Sequence, residues 1–302
     1  MNDRKDDDRL TKNQAISLTL LSSLMFSTSY VAIKIGLEDI DPFLFEAAII
    51  AIGALIAFIY TLYRKTFTIR IFRHWEVWAA SAIGLVSISL QFVGLTTTTA
   101  SKGALIIGST VIFVAPLAAL LFREKFTAAK AFGILIGVFG LITLTTQWSL
   151  EAFSSGEFAG DLLLLGSAAT GAIVWALTRK GLRKLRYDQW MFSLHAIYPI
   201  PILLISYLFG DIENVSWNAL PAVIYLGIFC TSIPAMLWAK GLGAITLTVS
   251  ATIILSESVF GTVLGRLILG DELGMIGVIG AIMVFAAIYV VSRGEDPRKT
   301  ES

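Results

Sequence analysis

The chain has 302 residues, of which 56% are hydrophobic and 15% charged, with a mean hydropathy of +0.78 and a formal net charge of +1. No water-soluble core hides that much apolar surface, so a soluble globular domain is excluded and a membrane-embedded chain is implied. The single cysteine, Cys230, excludes an intrachain disulfide and a Cys-rich metal cluster.

Apolar blocks of about 20 residues, the length that crosses a ~30 Å hydrocarbon core, recur along the chain. After a short charged segment, 1–13, span 1 covers 14–35 and carries Ser23, Ser27, Thr28, Tyr30 and, near its end, Lys34. It is longer than a signal-peptide core and lacks a small-residue cleavage pattern, so it is expected to stay as an anchor. Asp41-Pro42 opens span 2, 43–63, with Glu46 about one turn in. A basic connection with Arg64, Lys65, Arg70 and Arg73 leads to span 3, 77–95, which holds Ser87, Ser89 and Gln91 and ends on Gly94-Leu95. Span 4, 103–122, follows Lys102 and contains Pro116. The turn Phe122-Arg123-Glu124-Lys125-Phe126 introduces span 5, 128–147, with Gly133, Gly137 and Gly140.

A linker, 148–160, precedes span 6, 161–178, in which Trp175 lies deep. Five basic residues between Arg179 and Arg186 separate it from span 7, 189–209, with Trp190, His195, Pro199 and Pro201. Span 8, 218–239, contains Cys230, Pro234 and Trp238 and is followed by Lys240 and Gly241-Leu242. Span 9, 245–268, includes Ser250, Thr252, Ser256, Glu257, Ser258 and Arg266. After Leu269-Gly270-Asp271-Glu272-Leu273 comes span 10, 274–292, with Gly274, Gly277 and Gly280, and then a tail, 293–302.

Charge sets the expected orientation. Twenty of the 23 Lys and Arg residues fall in the even-numbered connections and the two ends, which the positive-inside rule places in the cytoplasm. Acids such as Glu38, Asp39, Asp41, Glu151 and Glu157 occupy the odd-numbered connections. The halves also echo one another. Gly94-Leu95 recurs as Gly241-Leu242, 147 residues on, and Glu124 finds its counterpart in Glu272, 148 residues on. A repeat unit of five spans, 14–147 and 161–292, enters the membrane in opposite senses, the inverted-topology plan of many secondary transporters. The expected fold is therefore an all-α integral membrane protein of ten transmembrane helices in two inverted five-helix repeats, both termini cytoplasmic, in the cell (inner or plasma) membrane.

These residues resemble the EamA-type transporters of the drug/metabolite transporter superfamily. The resemblance rests on Ala32-Ile33-Lys34, Asp41-Pro42, Gly94-Leu95 with Ala100-Ser101, the Arg-Glu-Lys-Phe-Thr turn from Arg123, and Gly160-Asp161. It implies a central substrate cavity and export or exchange of small organic metabolites. The chain departs from the pattern where the family often has an Arg early in span 2, here Glu46, Ile49 and Ile50. It departs again where the family often has Glu-Pro in span 9, here Glu257-Ser258.

An ionisable group inside a bilayer is costly, about 2.5–3.5 kcal/mol at a helix centre on insertion scales, so each needs a reason. Glu257 lies 12 residues into span 9, near the midplane, flanked by Ser256 and Ser258. It is the expected site for a cationic substrate group or an exchangeable proton, the bland alternative being a polar residue that joins two helices. Ser256, Ser258, Gln91, Trp175 and Tyr30 are expected beside it in the substrate or proton pathway. Lys34 and Glu46, similar in depth, are expected to pair, as an outer gate or as a structural ion pair. Lys102 and Arg266 are expected to snorkel to the headgroups, and Trp190 and Trp238 to sit in the interfacial belt. Pro116, Pro199, Pro201 and Pro234 mark expected weak points in the helix ladder.

Competing functions carry less. Only His74 and His195 are present, and no His-Glu-x-x-His, Gly-x-Ser-x-Gly or phosphate-binding loop occurs, so an intramembrane enzyme lacks its parts. A channel would show a filter-like loop or a charged ring, and neither is evident; a scramblase stays open as an alternative. The expected partners are a small-molecule substrate and the lipid bilayer, with proton coupling possible; no nucleic acid, cofactor or metal is expected.

Overall fold

A computed structural model describes residues 10–123, 126–146, 148, 156–210 and 216–293. Helices dominate, and no strand occurs among the described residues. In chain order they are α1 Lys12–Ser27, α2 Ser29–Gly36, α3 Pro42–Tyr63, α4 Trp75–Thr97, α5 Ala100–Gly108, α6 Thr110–Phe122 and α7 Ala128–Thr146. The second half holds α8 Gly156–Gly181, α9 Tyr187–Ile197, α10 Pro199–Phe209, α11 Leu220–Tyr225, α12 Ile233–Leu242, α13 Leu247–Ile254, α14 Ser256–Leu264 and α15 Met275–Arg293. Eight segments among the described residues are long and apolar enough to cross a membrane, several of them made of two or more of these helices end to end. The expected spans 5 and 10 correspond to α7 and α15, whose apolar stretches, Ala131–Leu144 and Met275–Ala287, are shorter. The expected end segments before residue 10 and after Arg293, Glu124 with Lys125, and most of the linker lie outside the described residues. The last linker residues are helical: α8 starts at Gly156, with Glu157 in its first turn, where the helix N-terminus favours an acid.

Local chemistry explains the starts. Thr11 and Gln14 form a reciprocal capping box on α1. Asp41 Oδ1 accepts from the Phe43 and Leu44 amides at 3.0 and 2.9 Å, with Pro42 at the first helical position of α3.

The interruptions owe more to hydroxyls than to prolines. Span 1 breaks at Thr28, span 4 at Ser109 and span 9 at Leu255. At each break a side-chain hydroxyl donates to the carbonyl three residues back: Thr28 to Met25, Ser109 to Ile106, Ser256 to Ile253, at 2.6 to 2.8 Å. Such back-bonding competes with the main-chain ladder and bends helices. Pro116 sits within the continuous α6, seven residues beyond the break in that span. Pro199 and Pro234 act as expected: the first follows the break at Tyr198, and the second follows a π-helical stretch, Leu226–Ser232. Within that stretch Thr231 Oγ1 donates to the Leu226 carbonyl at 2.9 Å.

Packing pairs helices across the halves: α1 with α12, α4 with α8, α5 with α14, α7 with α15, and α3 with α9 and α10. The two Gly-Leu sites do the same job. A Cβ on Gly94 would lie 2.9 Å from the Gly160 carbonyl of α8, and one on Gly241 2.9 Å from the Ala15 carbonyl of α1. Each glycine lets the end of one helix press against the first helix of the other half.

Lys102 corrects the snorkelling expectation. It is 4% exposed, and its Nζ lies 2.6 Å from Asp161 Oδ2 and 3.2 Å from Glu157 Oε1. Thr98 Oγ1 donates to the other Asp161 oxygen at 2.8 Å, so the pair joins α5 to α8 in a buried site. Removing one partner strands a buried charge: Lys102→Met or Asp161→Asn alone should each lower stability by about 3 kcal/mol, and the double variant should recover most of it. Thermal unfolding of the detergent-solubilised protein measures this; additive losses would mean that the two groups are not coupled. Arg266 is exposed.

Candidate functional site

Between the paired helices lies a cavity of about 270 Å³. Among the described residues, its walls come from α1 through α6 and from α8, α9, the π-helical stretch, α12, α13 and α14, and none from α7, α10, α11 or α15. Its size is close to the lower end of the ~300–1,000 Å³ typical of small-molecule sites.

Glu257 lines it. The residue stands in the first turn of α14, just past the break at Leu255, where the interrupted helix turns the carboxyl inward. Tyr30, fully buried on α2, donates its hydroxyl to Glu257 Oε1 at 2.7 Å. Tyr30 is thus a supporting residue behind the carboxyl rather than part of the wall. Gln91 and Trp175 line the cavity as expected. Trp175 packs on Trp238, ring centroids 5.2 Å apart at 48°, and both rings face the cavity.

Ser256 and Ser258 leave the cavity wall. Successive helical residues point about 100° apart, so the neighbours of Glu257 cannot share its face. Ser256 bonds to Ser23 Oγ at 2.7 Å, towards α1. Ser258 is buried against Gly108 of α5, with its hydroxyl lacking a partner. Ser258, Glu257 and Trp175 share a smaller recess beside the cavity.

The expected Lys34–Glu46 gate is not formed. Lys34 Nζ donates to the carbonyls of Leu95 and Thr96, at 2.9 and 3.5 Å, at the end of α4 where the helix leaves carbonyls unpaired. Glu46 is fully buried and accepts from Ser89 Oγ at 3.2 Å. In a double-mutant cycle Lys34→Ala and Glu46→Ala should therefore be additive in unfolding free energy; a coupling beyond about 0.5 kcal/mol would show that the two side chains meet.

Trp190 and Trp238 also correct an expectation. Neither sits in an interfacial belt. Trp190 is fully buried over Gly181 with its indole N–H on Thr178 Oγ1 at 3.1 Å; Trp238 is 6% exposed and donates to Ser250 Oγ at 2.9 Å. Each thus satisfies its one polar atom inside the protein. Among the lining residues not marked as cavity groups in the sequence are His195 and Tyr198. The signal for them was present in Pro199: the break it imposes puts the end of α9 beside the cavity.

Towards the basic loops, Glu76 of α4 is held by Lys184 at 2.6 Å, Asp188 accepts from Thr66 and Arg186, and Tyr60 bonds Tyr187 at 2.8 Å. These contacts tie the segment after α3 to the segment before α9.

A sequence profile of the EamA-like transporter family matches residues 13–146 and again 158–293. An uncharacterized transporter of Archaeoglobus fulgidus is 26% identical over 287 residues, covering 91% of this chain and 96% of the relative. The uncharacterized transporter YoaV of Bacillus subtilis is 22% identical, with 89% and 93% covered. A chloroplastic WAT1-related protein of Arabidopsis thaliana is 26% identical, with 90% and 68% covered. A crystal structure superposes with a TM-score of 0.71 at 20% identity, covering 93% of this chain and 98% of the other, a likeness of fold.

Proposed function

The chain belongs to the EamA-like transporter family and is a multi-pass membrane transporter, and from that premise we propose that it is a secondary transporter working by alternating access. Its cargo is a small organic metabolite such as an amino acid, an amine or a related compound, moved by export or exchange across the cell membrane. The observation that carries the reading is a cavity between the halves with Glu257 in its wall.

Ten crossings in two inverted five-helix repeats, both termini cytoplasmic, complete the proposal. Its support is the symmetry of the contacts. Pairing helices by their place in equivalent spans makes the α4–α8 contact the counterpart of α12–α1, makes α5–α14 that of α13–α6, and makes α7–α15 its own counterpart. The equivalent close approaches at Gly94 and Gly241 point the same way, as do the two separate profile matches. Helices interrupted beside a central site are a recurrent feature of such transporters. Rocking of the halves would open and close the cavity, and Glu257, accessible within it, is the group through which a proton would couple.

Proteoliposome flux tests the reading with a mixed panel of labelled amino acids, amines and nucleosides, with and without an imposed pH gradient. Saturable, protein-dependent uptake of one class is expected. A panel that moves no faster than in empty vesicles would overturn it.

A further inference from the structure

We infer that the cavity selects a monovalent organic cation, an ammonium group joined to a compact aromatic or apolar body, and rejects the same body bearing a carboxylate. This rests on the transport reading above and narrows its cargo.

The charge inventory carries the argument. Among the described residues that line the cavity, Glu257 is the one acid and no Lys or Arg occurs. Lys34, next to the lining residue Ile33, is spent on carbonyls at the end of α4, and Lys102 on Asp161 and Glu157. A bound carboxylate would find no cation, and a buried charge without a partner is strongly unfavourable.

Several lining donors are spent as well, and the remaining ones, on Gln91, Trp175 and Tyr198 among others, are uncharged. Ser87 donates to the Ser167 carbonyl at 2.9 Å, Thr110 to the Ile107 carbonyl at 2.5 Å and Thr231 to the Leu226 carbonyl at 2.9 Å. The Trp238 indole N–H is engaged by Ser250. These polar residues therefore turn oxygen lone pairs or ring faces to the ligand.

His195 adds to the bias. Ser232 Oγ donates to the Gly53 carbonyl, so in its 3.5 Å contact with His195 Nδ1 the imidazole is the donor. In the neutral ring that assignment leaves Nε2 as an acceptor.

Against these acceptors stand the rings of Trp175 and Trp238, whose faces attract a cation and bury an aromatic or apolar body. The small recess shared by Glu257 and Trp175 places the carboxylate and a π face around one position, where an ammonium would satisfy both. A free amino acid meets only half of this pattern: its ammonium suits Glu257, and its carboxylate has no partner. A dication has no second acid in the wall.

Three probes of one shape test it: phenethylamine, phenylalanine and 3-phenylpropionate, with phenethyl alcohol as the neutral reference. Binding to the full-length protein in nanodiscs is measured by calorimetry, and flux by counterflow in proteoliposomes. Phenethylamine should bind and exchange, phenylalanine about tenfold or more weakly, and phenylpropionate no better than the alcohol. Glu257→Gln should reduce phenethylamine to the level of the alcohol. Trp175→Leu, which keeps the carboxyl, should weaken the amine while leaving its preference over phenylalanine intact.

Phenylalanine or phenylpropionate binding as tightly as the amine would overturn the inference and leave the transporter reading standing. So would silence of all three charged probes beside saturable flux of an amino acid or a nucleoside in the mixed panel. Silence in both experiments would overturn the transport reading, and this inference with it.

Discussion

Replacing Glu257 with glutamine abolishes uptake driven by a pH gradient and leaves a folded protein in the membrane. The side chain keeps its volume, and its amide oxygen still accepts the Tyr30 hydroxyl that Glu257 accepts at 2.7 Å, so packing has little reason to change. What disappears is the one acid in the cavity wall among the described residues. With no carboxyl to load and unload, the gradient has no handle on the cycle, and gradient-driven flux should fall at least about 100-fold, the scale expected when a buried functional charge is removed. Tyr30→Phe is the graded companion. It removes one hydrogen bond to the carboxyl and should cost about tenfold in apparent affinity. Flux assays on reconstituted protein, with size-exclusion profiles to verify folding, decide the matter. Wild-type gradient-driven rates in the glutamine variant would sink proton coupling through this residue.

The second large effect is structural. At the contact of α7 with α15 a Cβ on Gly280 would lie 2.6 Å from the Leu144 amide nitrogen and 2.8 Å from the Gly140 carbonyl, and one on Gly140 2.9 Å from the Val284 amide nitrogen. Backbone meets backbone there, with no flexible side chain to yield. In lipid two apolar helices gain little from burying hydrocarbon, so their association depends on this close packing. Gly280→Leu should force the helices apart, with a loss well beyond the ~1–3 kcal/mol of ordinary overpacking. The expected result is aggregation or loss of the monodisperse peak on fluorescence-detected chromatography. Gly156→Leu, at a position where a Cβ meets nothing within 4 Å, serves as the control and should behave as wild type. A Gly280→Leu protein that is as stable as that control would refute the close contact.

Much of this architecture can be read before any coordinates. The apolar blocks found nearly all the helices, Asp41-Pro42 marked a start through its cap, and Gly94 and Gly241 marked two equivalent crossings. The misses share a cause. A soluble helix shows its buried face by contrast with a polar one, but in lipid both faces are apolar and the contrast vanishes. Trp190 and Trp238 sit near span ends, where an aromatic reads as a belt residue whichever way it points. Lys102 looks in sequence like a snorkelling lysine, and only Asp161 and Glu157, 59 and 55 residues away in the chain, make it an internal ion pair. Glu257 was legible because charge at mid-membrane is rare wherever it faces. Ser256 turns away towards α1 because adjacency in sequence is not adjacency on a helix face, while Ser258 reaches only the smaller recess beside Glu257. The breaks at Thr28, Ser109 and Leu255 were missed because hydroxyl back-bonding has a weaker signature than proline.

The π-helical stretch Leu226–Ser232 sets a rotational register. Each residue advances an α-helix by about 100°, so a local surplus of one residue turns everything beyond it by that angle relative to an uninterrupted helix. Ala235 and Trp238 lie beyond the stretch and line the cavity, as Leu226 and Cys230 do within it. Their common direction therefore depends on chain length at this point as much as on side-chain identity. A descendant of this sequence can exchange residues here and keep its cavity, whereas a one-residue insertion or deletion would swing the Trp238 ring out of line with Trp175 while every side chain remained the same.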